Sequence, residues 1–350
     1  MGKKKDDHAP VAPVQSVAEA KPAPAEVKTP APVVEVKTPA PVVESKPAAE
    51  VKPAAVVEKI ATTNPAATVE KPKATKLEAT TPGTTMIKAT LDQASQIKVI
   101  MEIISFLVDE LEFVFDDKGL HYRAIDSSHV AALFADLYPT MFVEYKATGA
   151  ISFSLNTSDV IKVMRRAKNT DTVSLIYSGT SKDVLSFAMV SENCKRTFKL
   201  KIKDVVLGQK QDEVAGFVEG FQKLIREKMQ ASFSVDVKTI AEMIQDAGIT
   251  SDLLKLGSSL ASRSINISAN DESGEYTADL QETSLKNLEV KGDASGIYSI
   301  SFLEGILKMA AVCETMKISF FNASPVFIEF QLPRNDKPEG VLYYLLAPTG

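Results

Sequence analysis

Cysteine is almost missing from this 350-residue chain, and the two present, Cys194 and Cys313, lie far apart. That spacing excludes a disulfide framework and a thiolate zinc site, and it points to a reducing compartment. Histidine is nearly as scarce: His8, His121 and His129 are too few and too scattered for a metal cluster. No run of about 18 apolar residues occurs, which rules out a transmembrane helix. Walker, GxGxxG, GxSxG and HExxH patterns are missing too, and with them the usual signatures of nucleotide binding, serine hydrolysis and metalloprotease chemistry. Asp126-Ser127-Ser128-His129 holds the residue types of a catalytic triad. A triad, however, converges from separate segments on an oxyanion hole, which four consecutive residues cannot do. The plainer reading is a turn in which Asp and Ser side chains hydrogen-bond their own backbone. The chain reads as a non-enzyme with no metal and no cofactor.

Residues 1–85 lack aromatics altogether; all 24 Phe and Tyr lie in residues 86–350. The same 85 residues hold 13 of the 18 prolines, and EVKTPAPVV at Glu26–Val34 repeats at Glu35–Val43. A segment of this kind cannot bury enough apolar surface to offset its chain entropy. It is expected to be a disordered, extended tether. Its start, MGKKKDDH, reads neither as a secretory signal nor as a myristoylation site. With 12 Lys against 10 Asp and Glu the tail is slightly basic, which leaves the remaining 265 residues, with 28 Lys and Arg against 35 Asp and Glu, acidic.

Structured sequence begins near Met86. Ile97, Ile100, Met101, Ile104, Leu107 and Val108 recur at helical spacing and define one apolar face. LEFVF (Leu111–Phe115), a turn at Asp116–Gly119 and LHYRAID then read as a hairpin. ISFSL (Ile151–Leu155) alternates apolar residues with serine, and Asn156–Asp159 offers caps for a short helix over Val160–Lys168. Strands are expected at Thr172–Tyr177, Val184–Val190 and Thr197–Ile202. One-sided strands interleaved with short helices point to an α+β fold with mostly antiparallel sheet.

The same order then returns. Ser232–Val237 reads as a strand, and Ile240, Met243, Ile244 and Ala247 as a helix face. LLKLGSS and RSINISAN form a second hairpin, IYSIS leads into a helix through Leu303, Ile306, Leu307 and Ala310, and KISFF with VFIEFQL closes the sheet. Overlaying the copies puts Phe153 on Tyr298 and Val173 on Ile318. Two similar domains are expected, residues 86–203 and 232–350, each with two helices on one face of a sheet. Residues 204–231 form the connector between them. Its first part, DVVLGQKQDE, reads as a strap; its second places Val214, Phe217, Val218, Phe221, Leu224, Ile225 and Met229 on one helical face. That face either meets a partner or packs on its own domain.

AIDSSHVAALFADL (Ala124–Leu137) is similar to the MDSSHV-type segment of the proliferating cell nuclear antigen family of sliding clamps. FSLNTSDVIKVMRRAKNTDTVSL (Phe153–Leu175) looks like that family's second helix with its flanking strands, and PVFIEFQL with GVLYYLLAP resembles its closing strands and terminal YYLAP signature. The match covers nearly all of residues 86–350. It implies a DNA-clamp fold in which three subunits close head to tail around duplex DNA. It also implies tethering of DNA polymerase, clamp loader, flap nuclease and DNA ligase through short peptide motifs, with no membrane partner. The compartment would be the nucleoid-associated cytoplasm of an archaeon or a eukaryotic nucleus.

Carried over residue by residue, the resemblance places Lys98, Lys162, Arg165, Arg166, Lys238 and Lys308 on helices lining the hole. A sliding ring needs diffuse cations to hold phosphates without reading bases. Phe198 and Leu200 would meet Tyr276, Ala278 and Leu280 of the neighbouring subunit. A groove for a peptide with a glutamine and paired aromatics would involve Ile125, His129, Val205, Leu207, Pro325, Ala347 and Pro348. Where the family shows basic residues this chain has Glu242 and Gln245, and Glu304 lies one turn before Lys308. Those departures keep open a specialised subunit of a heterotrimeric or damage-signalling clamp.

Overall fold

A computed structural model describes residues 86–180, 183–207, 212–272, 274–335 and 337–349. The proline-rich segment read as a tether lies outside the described residues. The chain opens with β1 (Met86–Leu91), helix α1 (Ser95–Leu107), β2 (Glu110–Asp116), β3 (Gly119–Ile125) and β4 (Ala131–Leu137). Next come β5 (Glu144–Ala147), β6 (Ile151–Asn156), helix α2 (Thr157–Met164), β7 (Thr172–Ser178), β8 (Val184–Ser191) and β9 (Cys194–Lys201). The connector supplies β10 (Lys203–Leu207) and helix α3 (Asp212–Lys228). The order resumes with β11 (Ala231–Asp236), α4 (Val237–Thr250), β12 (Leu253–Ser259), β13 (Ser264–Asp271) and β14 (Gly274–Leu280). It ends with β15 (Lys286–Val290), β16 (Ala294–Ser299), α5 (Ile300–Leu307), β17 (Thr315–Phe320), β18 (Val326–Arg334) and β19 (Lys337–Leu346).

Helix starts follow the capping chemistry. The Asn156 side chain accepts from the amides of Ser158 and Asp159, so α2 begins at Thr157, earlier than the apolar spacing suggests. It also ends earlier: the Arg166 and Ala167 amides bond the Val163 and Met164 carbonyls three residues back, and buried Asp171 accepts from the Lys168 amide to close a turn beyond them. Asp236 caps α4 in the same way, through the amides of Lys238 and Thr239.

Among the described residues the strands form three antiparallel sheets, ordered β5-β1-β7-β8-β9, β14-β13-β12-β16 and β10-β6-β2-β3-β4-β19-β18-β17-β11-β15. The longest runs through both halves of the sequence, joined where β4 pairs with β19. Helices α1 and α2 pack together, as do α4 and α5, and α1 meets α5. At that junction Phe106 lies edge-on to Phe302, 5.7 Å between centroids. A Cβ on Gly305 would lie 3.0 Å from the Phe106 ring, so any side chain there would have to push that half-exposed ring aside. One continuous apolar core lies between the helices and the sheets. A second, smaller cluster sits on the opposite face of β4, β18 and β19, under α3.

Candidate functional site

The expected cationic residues lie on the packed helices or at their ends. Lys162, Arg165, Arg166, Lys238 and Lys308 are exposed, and Lys98 is half-buried on α1. Lys162 pairs with Asp159 one turn earlier at 3.0 Å, both side chains in solvent, a contact that salt screens. The distribution is uneven. The end of α2 gathers Lys162, Arg165 and Arg166, whereas α4 and α5 also expose Glu242, Asp246 and Glu304.

Strands β9 and β14 are each the outermost strand of their sheet. On β9, half-buried Phe198 and Leu200 alternate with exposed Lys195, Thr197, Lys199 and Lys201. On β14, half-buried Tyr276 and Ala278 alternate with exposed Glu275, Thr277 and Asp279. Leu280, expected at the same edge, is 2% exposed and belongs to the core of its own chain. It shares a face with Tyr276 and Ala278 and opposes buried Ile265 on β13.

The Asp126-Ser127-Ser128-His129 turn is organised by buried Asp126. Its carboxylate accepts from the amides of Ser128 (2.9 Å), Val130 (2.7 Å) and Ala131 (2.6 Å). Those bonds hold exposed His129 at φ 56°. The turn is thus an acceptor-centred loop, as its composition suggests. The Ala347 amide bonds the Val130 carbonyl at 2.8 Å, and the pairing of Val326 with Leu346 puts Pro325 next to Ala347. Ile125, His129, Pro325, Ala347 and Pro348 therefore gather at one end of β3, β4, β19 and β18. Ile125 and His129 are exposed, Pro348 partly so, and Pro325 and Ala347 are buried. Val205 and Leu207 lie elsewhere in the sheet. They belong to β10, from which β6 and β2 separate β3, a distance of roughly 14 Å at ordinary strand spacing.

Helix α3 covers the surface beside this gathering. Register aligns Ala132, Leu345 and Phe327 in one row across β4, β19 and β18, and Phe134 and Tyr343 in the next. Phe221 and Ile225 of α3 are buried against these rows, with Val218, Leu224 and Met229 partly buried around them. The Phe221 and Phe327 rings lie 5.4 Å apart, Phe327 stacks on Tyr343 at 5.3 Å, and the Gln222 amide donates to the Tyr343 hydroxyl at 2.7 Å. The Val214 and Phe217 side chains lie outside the described residues. Sequence reasoning missed this floor, although one signal was present: AALFADL and VLYYLL are apolar at consecutive positions, the mark of strands covered on both faces.

The same face of β3 and β4 carries an ionic cluster. His121 bonds Asp136 through Nδ1 (2.7 Å) and Asp116 through Nε2 (3.2 Å), while Arg123 donates to Asp136 at 2.8 Å. Burial alone would lower the His121 pKa, but the hydrogen bonds and charges of the two carboxylates outweigh it and raise the value. Burial works against the Asp136 and Asp116 carboxylates as well, yet His121, together with Arg123 for Asp136, holds both below the usual range. Among the described residues no group of three or more His, Cys, Asp or Glu could hold a metal ion, and no helix is long and apolar enough to cross a membrane.

Comparison with known proteins points one way. The family model described as "Proliferating cell nuclear antigen, N-terminal domain" matches residues 86–211. The DNA polymerase sliding clamp of Thermofilum pendens is 28% identical over 275 residues, spanning 75% of this chain and 99% of that protein. The Pyrococcus abyssi clamp is 26% identical, over 73% of this chain and 95% of its own length. The proliferating cell nuclear antigen of Caenorhabditis elegans is 25% identical, over 75% and 97%. The crystal structure of the Entamoeba histolytica protein of that name covers 75% of this chain and 99% of its own, with TM-score 0.62 and 18% identity, and so shares its fold.

Proposed function

Because the chain belongs to the proliferating cell nuclear antigen family of DNA polymerase sliding clamps, we propose that three copies close head to tail into a ring that encircles duplex DNA and tethers replication and repair enzymes. Residues 86–203 and 232–350 are its two clamp domains, and 204–231 the connector. The observation that supports this reading most is the pair of outermost strands. The exposed charges of β9 include Lys195, Lys199 and Lys201, whereas those of β14 are Glu275 and Asp279, so the two edges are opposite in sign. Added edge to edge, the two strands bring Phe198 and Leu200 beside Tyr276 and Ala278. Unlike ends of one chain then complement each other, as a closing heterologous contact requires. Lys98, Lys162, Arg165, Arg166, Lys238 and Lys308 hold phosphates in passing, and the acidic remainder discourages contact from outside. The ring is non-catalytic; its partners dock short peptides at Ile125, His129, Pro325, Ala347 and Pro348.

Native mass tests the ring. The full chain at micromolar concentration should give about three times its 37.9 kDa. Leu200→Glu should give folded single chains by placing a charge in the cross-subunit packing. A second reading, one subunit of a mixed ring, draws on Glu242 and Glu304, exposed on the helices assigned to the hole. A single-chain mass for the unaltered protein, with a second clamp-like chain copurifying from its source, would favour it.

A further inference from the structure

We infer that helix α3 is a built-in competitor for the partner groove, docked over the apolar floor that an incoming peptide needs. The inference rests on the groove reading above. Pro325 and Ala347 are buried, so the uncovered part of the groove offers little more apolar surface than Ile125, which is 39% exposed. Ile125 opposes Ala132, so it stands at the end of the row Ala132–Leu345–Phe327, which lies two residues, roughly 7 Å, along the strands from Ala347 and Pro325 and shares their face. Small Ala132 between larger neighbours gives that row the depth an aromatic ring would use. Phe221 and Ile225 already fill it. A peptide that seats paired aromatics at this end of the sheet therefore meets α3 and must displace it.

Three features suit α3 to being displaced rather than fixed. Its floor is a small cluster separate from the main core. Its other face is charged and exposed, with Glu219, Lys223, Arg226, Glu227 and Lys228 in solvent. In mid-helix sits Gly220, with nothing within 4 Å of where its Cβ would be. No close packing demands glycine there, and glycine weakens a helix interior. The C-terminal end is anchored instead: the Gln230 amide bonds the Phe320 carbonyl (3.2 Å), and its side chain accepts from the Asn322 amide (2.8 Å). With β10 paired to β6 before it and Gln230 bonded after it, α3 is a strap whose weak middle can lift from the floor while the flanking chain stays in place.

Two substitutions push the equilibrium in opposite directions. Phe221→Ala removes the side chain that fills the floor, whereas Gly220→Ala strengthens the helix without touching the sheet. The probe is a fluorescein-labelled synthetic peptide bearing a glutamine and paired aromatics, titrated against the full-length protein and both variants. A strap closed ~90% of the time predicts binding about tenfold tighter to Phe221→Ala. Gly220→Ala should bind about fivefold more weakly. Hydrogen exchange on the unaltered protein supplies a readout independent of folding defects: saturating peptide should deprotect residues 218–228. Equal affinity in all three forms, with α3 still protected, overturns the strap and leaves the groove standing. Binding to none of them, with native mass intact, removes the groove and the inference together.

Discussion

On the inner face of β4, β19 and β18, one row places Leu133, Tyr344 and Ile328 in the core shared by both halves of the sequence. One residue along, the row Ala132, Leu345 and Phe327 points to the outer face and meets only the local cluster under α3. The strands and pairing are the same; what differs is what lies above them. Inner side chains are locked by helices and three sheets, so a change there propagates. Outer side chains are held by one strap, so a change there stays local. Stability resides on the inner face, and regulation has room on the outer one.

Truncation on each side is the widest test of that difference. Tyr344→Ala removes a fully buried ring and its hydrogen bond to the Phe302 carbonyl at the α5 junction, and should cost about 3–5 kcal/mol in denaturant unfolding. Phe221→Ala also removes a buried ring, but its cost is capped by the undocking of α3. A loss of about 1–2 kcal/mol is expected, with faster exchange confined to α3. Equal losses from the two would merge the outer cluster with the core.

A smaller effect separates the faces by pH. The inner row is apolar, whereas the outer face includes His121, Asp116, Asp136 and Arg123. The His121 pKa is raised in the folded chain, so its stabilisation is complete below the unfolded value and is lost as pH rises through the folded one. The lowered Asp116 and Asp136 act in the opposite sense: their contribution is present above the unfolded carboxylate value and lost as pH falls. The melting-temperature gap between the protein and His121→Asn should therefore be wider at about pH 5.5 than at about pH 8.5. A gap that does not narrow at high pH would show that His121 contributes packing alone. The smallest effect belongs to Gln222→Ala, which deletes one partly buried bond to Tyr343 and should cost about 1 kcal/mol or less.

The inner face was legible in the sequence and the outer one was not. Alternation in ISFSL and the spacing of Ile97, Ile100 and Ile104 report a buried side directly, because period and burial are coupled within one element. The repeat in element order and the closing strands were readable for the same reason. The edge reading included Leu280, which shares a face with Tyr276 and Ala278 but, at the end of β14, is buried within its own chain. The groove reading put Val205 and Leu207 at its wall, but the chain carries them on β10, at the edge of the sheet. The helical face of the connector was visible, yet its floor depends on long-range register between β4, β19 and β18. The His121 cluster was hidden likewise, because Asp136 comes opposite His121 only when β3 pairs with β4.

A ring that encloses DNA, as proposed for this chain, is tested most directly by topology. Protein loaded on a nicked circular duplex should stay bound through a high-salt wash that strips phosphate contacts. Cutting the circle once should release it. Loss from the intact circle at the same rate as from the cut one would contradict the ring.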